Sequence, residues 1–261
     1  MGRAATISRC QPVRRRSVEV KLLVEGALEG KALVAGYHGI GFVGFLAVKH
    51  LVKALRGRKV GYVVSTYMPQ VVNAAADGIA APYELYDVGP AVVFLPNVPL
   101  TRQDLFRVPY AIAEASLEGG ASMALLVGGL DSSYRRGDGR PLRYAATSAF
   151  LARYRRYVEG EYPLEDNLAI VGPLAAMLAY YEAYGFPAVA VLPYADPSGA
   201  DPLAAKVAVE FVAGILGLAV DTSELVKLAE EKAKLEEELE EMRRRAAQEE
   251  GRSVRLPMFY V

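Results

Sequence analysis

Apolar residues recur along most of this chain in short, unbroken runs. Lys31 to Gly36, Val60 to Val64, Ala91 to Leu95, Met123 to Val127, Leu168 to Val171 and Ala188 to Leu192 are nearly all hydrophobic. Runs of that length, each followed by a helical pattern, describe strands buried on both faces in a largely parallel sheet. Val18 to Val24 differs, because charged and apolar residues alternate there; this suits a strand with one solvated face at a sheet edge. Helices are expected at Gly41 to Arg56, Arg102 to Leu117, Arg143 to Glu159, Leu174 to Tyr184 and Pro202 to Leu216, where they would cover both faces of the sheet. In the last of these, Asp201 supplies an N-cap acceptor and Pro202 a preset first-turn φ, and Val207, Phe211, Ile215 and Leu218 form the expected buried face. Tyr83 to Val88 partly alternates, and the turn at Gly89-Pro90 should pair it antiparallel with Ala91 to Leu95.

At Asp221 the pattern changes. From there to Glu250 the chain has no glycine or proline and is rich in Glu, Lys, Arg, Leu and Ala, the composition of one long charged helix. Asp221 and Glu224 have the spacing of a capping box. Leu225, Leu228, Leu235, Leu239 and Met242 fall on alternating a and d positions of a heptad, interrupted at Lys232 and followed by Ala246, so a coiled coil is a natural use for it. Gly251, Ser253 and Pro257 should end the helix and leave an extended tail. The expected organisation is a flexible basic stretch over 1–16, one α/β domain over 17–220, the helix over 221–250 and the tail over 251–261.

Composition narrows the function classes. Thirty basic residues balance thirty acidic ones, which leaves no global field for nucleic acid or an anionic membrane. One cysteine, Cys10, and two histidines, His38 and His50, are too few for a disulfide framework or a structural zinc site. Neither a signal peptide nor a run of eighteen uncharged apolar residues is present, and a cytoplasmic location is expected.

Three places could carry chemistry. Gly39-x-Gly41-x-x-Gly44 follows a strand and opens a helix, as a phosphate or dinucleotide cradle does. No acidic residue lies between Glu29 and Asp77 to bind a ribose, and no Lys-Ser or Lys-Thr follows the glycines; a tight turn packed closely on the sheet explains them without a ligand. Gly128-Gly129-Leu130-Asp131-Ser132-Ser133 also follows an apolar run, yet it lacks the G-x-S-x-G elbow, and nothing in the spacing brings His38 or His50 to it. Arg135, Arg136 and Arg140 could bind phosphate, while Arg153, Arg155 and Arg156 interleave with Tyr154 and Tyr157 in a way that fits subunit contact better than nucleic acid. The third place is the end of the chain. Phe259, Tyr260 and Val261 combine an apolar ring, a phenol and a carboxylate in a plug that a partner's pocket could capture, or that could fold back on its own body.

Four segments together carry a resemblance: Gly36-Tyr37-His38-Gly39-Ile40-Gly41-Phe42-Val43-Gly44, Leu126-Val127-Gly128-Gly129, Gly172-Pro173-Leu174 through Gly185-Phe186-Pro187-Ala188-Val189, and Asp201-Pro202-Leu203-Ala204-Ala205-Lys206. In this order they resemble the archaeal branch of the proteasome assembly chaperone family, over roughly Lys31 to Asp221. The resemblance implies an α/β sandwich similar to nucleoside phosphorylases and a non-enzymatic, ATP-independent role without a cofactor. It also implies a homo-oligomer whose hydrophobic-Tyr-X tail, here Phe259, Tyr260 and Val261, enters a pocket between α-subunits of the proteasome core particle. There the Val261 carboxylate would meet a lysine. The competing expectations are a phosphorylase-like or hydrolase-like enzyme acting on a nucleoside or small molecule through the two glycine loops, and a structural oligomer whose tail seals its own surface.

Overall fold

The computed structural model describes residues 20–24, 28–75, 78–137 and 139–253. The basic stretch over 1–16 and the tail residues Phe259, Tyr260 and Val261 lie outside them. The first half contains β1 (Val20–Val24), β2 (Ala32–Gly36), α1 (Val43–Ala54), β3 (Arg58–Ser65), the hairpin β4 (Asn73–Ala75) and β5 (Gly78–Ala80), β6 (Tyr83–Asp87), β7 (Ala91–Pro96) and α2 (Asp104–Glu118). The second half adds β8 (Met123–Val127), β9 (Leu130–Asp131), β10 (Leu142–Ala146), α3 (Ser148–Tyr154), β11 (Tyr162–Pro163), α4 (Pro173–Ala183), β12 (Ala188–Ala195), α5 (Pro202–Leu216) and α6 (Ser223–Ser253).

One large sheet runs in the order β1-β3-β6-β7-β2-β8-β12-β10-β11. Its centre, β7-β2-β8-β12, is parallel, and antiparallel pairs join β1 to β3, β3 to β6, β6 to β7 and β10 to β12. The β6–β7 hairpin forms where the Gly89-Pro90 turn placed it, with Val88 N–H donating to the Ala91 carbonyl at 2.9 Å. Alternate residues of each central strand feed opposite cores, because successive side chains point to opposite faces. Ala32 and Val34 of β2 pack with α1 and α5, whereas Leu33 and Ala35 pack with α2 and α4. Two helical layers therefore hide the sheet, and each fully buried Val or Leu contributes about 1.5–3 kcal/mol.

The structure departs from the sequence reading in five places. The expected helix over Arg143 to Glu159 starts late, since Leu142–Ala146 is strand β10, paired antiparallel with β12. A Thr147 cap then starts α3: its Oγ1 accepts from Phe150 N–H at 3.3 Å, and the strand-like φ of −68° and ψ of 155° at Thr147 separate the two elements. Leu168 to Val171 is not a strand. Val171 is 82% exposed there, and the segment has no ladder partner, so an apolar run alone did not make it sheet. Of the expected α5 face only Ile215 is buried; the rest of the buried face is the small-residue stripe Ala204, Ala205, Ala208, Val209 and Val212, because close approach of helix to sheet favours alanine over the bulkier Phe211, which is only partly buried. Glu224 ion-pairs with Lys53 of α1 rather than closing a capping box, while Asp221 accepts from Ser223 N–H at 2.9 Å. Finally, α6 continues through Gly251 to Ser253. No described helix is long and apolar enough to cross a membrane.

Candidate functional site

The parallel strands end together on one rim of the domain, the edge at which open α/β sheets gather ligand loops. Both glycine loops lie there; Gly39 faces open space, but the glycines nearest the strands are packed against the protein itself. A Cβ on Gly36 would stand 2.2 Å from the Gly44 carbonyl oxygen, one on Gly44 would stand 2.5 Å from the Val127 carbonyl oxygen, and one on Gly129 would stand 2.4 Å from the Ile40 carbonyl oxygen. These glycines bring β2, α1 and β8 into backbone contact, which leaves no space for a phosphate between them. Gly41 and Phe42 both adopt left-handed backbone, with φ of 60° and 50°. For phenylalanine this conformation costs about 1 kcal/mol. It is held by the Phe42 N–H bond to the Gly39 carbonyl at 2.9 Å and by the Asp201 N–H bond to the Gly41 carbonyl at 2.8 Å.

The two histidines serve packing. His38 stacks on Phe45 at 4.1 Å and meets Phe42 edge-on at 6.1 Å. Burial, assisted by the nearby Lys49 ammonium, lowers its pKa to about 4, so it is neutral at neutral pH. His50 is buried on α1, and its Nε2 donates to the Asp221 carbonyl at 2.8 Å, tying α1 to the base of α6. Among the described residues no hydrogen bond joins either histidine to Asp131, Ser132 or Ser133; Asp131 accepts from Ser133 N–H at 2.8 Å, a local turn bond. No group of three or more His, Cys, Asp or Glu among the described residues could hold a metal.

The arginines are also engaged. Arg135 lies over the Tyr194 ring at 5.2 Å, Arg140 over Tyr162 at 5.4 Å, and Arg136 pairs with Glu165 at 3.4 Å. In the second cluster Tyr154 packs on Phe150 at 5.7 Å, and Arg156 donates to the Tyr157 hydroxyl at 3.2 Å. A feature the sequence reading missed is Arg143. Its β10 position buries the side chain at 1% exposure, where it reaches Glu165 at 3.2 Å beside a cleft of about 580 Å³ lined also by Arg136, Tyr162 and Asp166. The alternation Leu142-Arg143-Tyr144 was the available signal, masked by the helix formers that follow.

What the rim does present is apolar surface and a projecting helix. Ile40, Phe42, Phe106, Tyr134 and Leu203, all in loops or first turns next to the strand ends, are exposed. The base of α6 is anchored: Leu225 is 4% exposed in the α1–α5 core, and Lys232 Nζ pairs with Asp196, just past the end of β12, at 3.7 Å. From Lys232 the helix continues to Ser253, about 30 Å at 1.5 Å per residue. The heptad residues Leu235, Leu239 and Met242 on it are open to solvent, at 57%, 41% and 56% exposure.

A profile of the PAC2 family matches residues 33–243, which spans the central sheet and most of α6. The chain belongs to the PAC2 family. An uncharacterised protein of Methanocaldococcus jannaschii is 27% identical over 208 residues, covering 77% of this chain and 80% of its own. Among solved structures, Pyrococcus furiosus PbaA, an archaeal homologue of proteasome-assembly chaperone, superposes with a TM-score of 0.73 at 22% identity, covering 88% of this chain and 99% of its own. PbaB of the same organism, an archaeal proteasome activator, gives 0.72 at 23% identity, covering 85% and 99%. A PAC2 family protein from Streptomyces avermitilis gives 0.58 at 15%, covering 80% and 95%. The PAC2 chain thus has the mixed α/β fold of these proteins, a large central sheet between helices with a C-terminal helix.

Proposed function

We propose that this PAC2 protein is a cytoplasmic, ATP-independent and non-enzymatic chaperone or activator of the proteasome, which binds the α-ring of the core particle through Phe259, Tyr260 and Val261. Membership of the PAC2 family, with a fold shared by an assembly-chaperone homologue and a proteasome activator, carries the reading. The projecting α6 supports it, because a tail that follows Ser253 starts far from the domain's own surface. A short tail must lose conformational freedom on docking and so binds weakly alone. Self-association, through the α/β domain and the helix over 221–250, would raise the effective concentration of tails. No nucleic acid, membrane, metal or cofactor enters this function. The close backbone packing at Gly36, Gly44 and Gly129 and the separately engaged histidines favour this reading over an enzyme on the rim.

The test is retention of purified core particle from the same source by the full chain and by a chain lacking residues 259–261, with α-ring gate opening read in parallel as hydrolysis of a short fluorogenic peptide. The full chain should retain the particle and the shortened one should not. Equal retention by both would overturn the tail assignment, and no retention by either would overturn the proteasome reading.

A further inference from the structure

The exposed stripe Leu228, Leu235, Leu239 and Met242 runs along one face of α6 with heptad spacing, and the sequence around it is divided by charge. Of the flanking e and g positions, three in the first half are glutamates, at 231, 236 and 238, beside an alanine at 229, and three in the second half are arginines, at 243, 245 and 252, beside a glutamate at 250. Such a division is a register code, since residues beside a coiled-coil seam select the direction of the partner.

We propose that the α6 stripe is covered by the α6 of a second copy of this chain running antiparallel, with position 239 of one helix level with position 242 of the other. In that register position 235 lies opposite 246; Lys232 takes no part, because its Nζ is held by Asp196 of its own domain at 3.7 Å. On the flanks, 236 faces 243, 238 faces 245 and 231 faces 252; each is a glutamate against an arginine, and the twofold axis repeats each pair. A parallel pair in the same heptad frame would also gain glutamate–arginine pairs, 238 with 243 and 245 with 250, but it sets glutamate 249 against itself and glutamate 231 against glutamate 236. Like charges at those places oppose it. Leu225 takes no part, because it is buried against its own α1 and α5, so the seam starts at Leu228.

The proposal rests on the self-association stated above and gives it a direction. The two chain ends leave an antiparallel pair on opposite sides. One pair then offers one tail to each of two rings, and several tails on one ring require contacts between α/β domains as well.

Disulfide trapping in a Cys10→Ser background, without proteasome present, decides the direction. The double variant L235C/A246C should form cross-linked dimers under mild oxidation, and L235C alone should not, because its two copies lie about 16 Å apart along the axis in this register. Cross-linking of L235C alone would establish a parallel pair and overturn the proposal. A native mass that stays oligomeric while no variant cross-links would overturn the helix pairing and leave self-association to the α/β domain; a monomeric mass would overturn both. Proteasome retention is measured separately, so its failure is distinguishable. Charge reversal supplies a second readout: R243E/R245E should weaken the pair roughly tenfold, and adding E236R/E238R should restore it. Equal weakening in the four-site variant would also refute the register.

Discussion

Replacing Gly44 by alanine tests whether the glycine turn is a packing device or a ligand cradle. Gly44 lies in the first turn of α1 with ordinary helical backbone, so the methyl group carries no conformational penalty, and alanine is intrinsically favoured in a helix by about 1 kcal/mol. The cost is steric. The added carbon would stand 2.5 Å from the Val127 carbonyl oxygen, 2.7 Å from Tyr37 N and 2.8 Å from the Tyr37 carbonyl oxygen. All three are backbone atoms, and two of them hold the ladder and turn: Gly36 pairs with Val127 across β2 and β8, and the Tyr37 carbonyl accepts from Phe45 N–H at 3.1 Å. No side chain can rotate away, so relief requires α1 to lift from the sheet. Overpacking of this kind costs about 3 kcal/mol, the upper part of the usual range, and the propensity gain returns about 1. The net loss of about 2 kcal/mol lowers the melting temperature by roughly 4–8 °C for a chain of this size. Gly214→Ala is the control, because a Cβ there meets nothing within 4 Å in a helical position of α5; it should leave stability unchanged or raise it slightly. Calorimetry or urea denaturation of both variants reads the difference. A Gly44→Ala protein as stable as the native chain would refute the packing account and reopen the turn as a ligand site.

Two further outcomes concern pH. Glu84 is fully buried; burial pushes its carboxyl up, but the Lys59 ammonium at 2.8 Å, the Tyr86 hydroxyl at 2.7 Å, Ala81 N–H at 2.9 Å and Asn97 Nδ2 at 2.8 Å outweigh this and hold it below the usual carboxylate range. A depressed folded pKa adds stability above the unfolded value of about 4.3 that is lost as pH falls through the folded one. Glu84→Gln should therefore flatten the acid limb of a stability-versus-pH curve, and an unchanged acid limb would count against the network. His38, lowered to about 4 by burial and then by Lys49, also works in the acid direction: its contribution is complete above about 6.5 and is lost as pH falls toward 4. Its NMR titration midpoint should lie near 4, and His38→Phe should keep the Phe45 stack while removing this part of the pH dependence; a midpoint near 6.5 would show that the ring is solvated.

Much of this architecture is readable from local pattern. The buried strands β2, β7, β8 and β12 are apolar on both faces, and such runs have few other stable uses in a chain with helices between them. Asp201-Pro202 marks the start of α5 because an acceptor side chain and a missing N–H suit a helix's first turn wherever it lies, and Asp201 Oδ1 accepts from Ala204 N–H at 2.9 Å. The order of the four glycine and proline segments was enough to suggest the family whose profile the chain matches.

The misread elements share one cause. Leu142–Ala146 is built of residues that suit a helix and became strand only because the edge of β12 was open beside it; Leu168 to Val171 is built of residues that suit a strand and found no edge to join. Ladder pairing is non-local, so propensity alone does not select it. The same holds for function. Sequence by itself determined the α/β class, the glycine turn, the long heptad helix and the tail motif, because each is written in neighbouring residues. Tertiary structure alone decided that Gly36, Gly44 and Gly129 are closed by backbone contact, that His38 and His50 are held by different partners, and that Leu225 is buried while Leu235, Leu239 and Met242 are exposed. Those distinctions depend on which distant surfaces meet, and equal residues in an equal heptad carry no record of that.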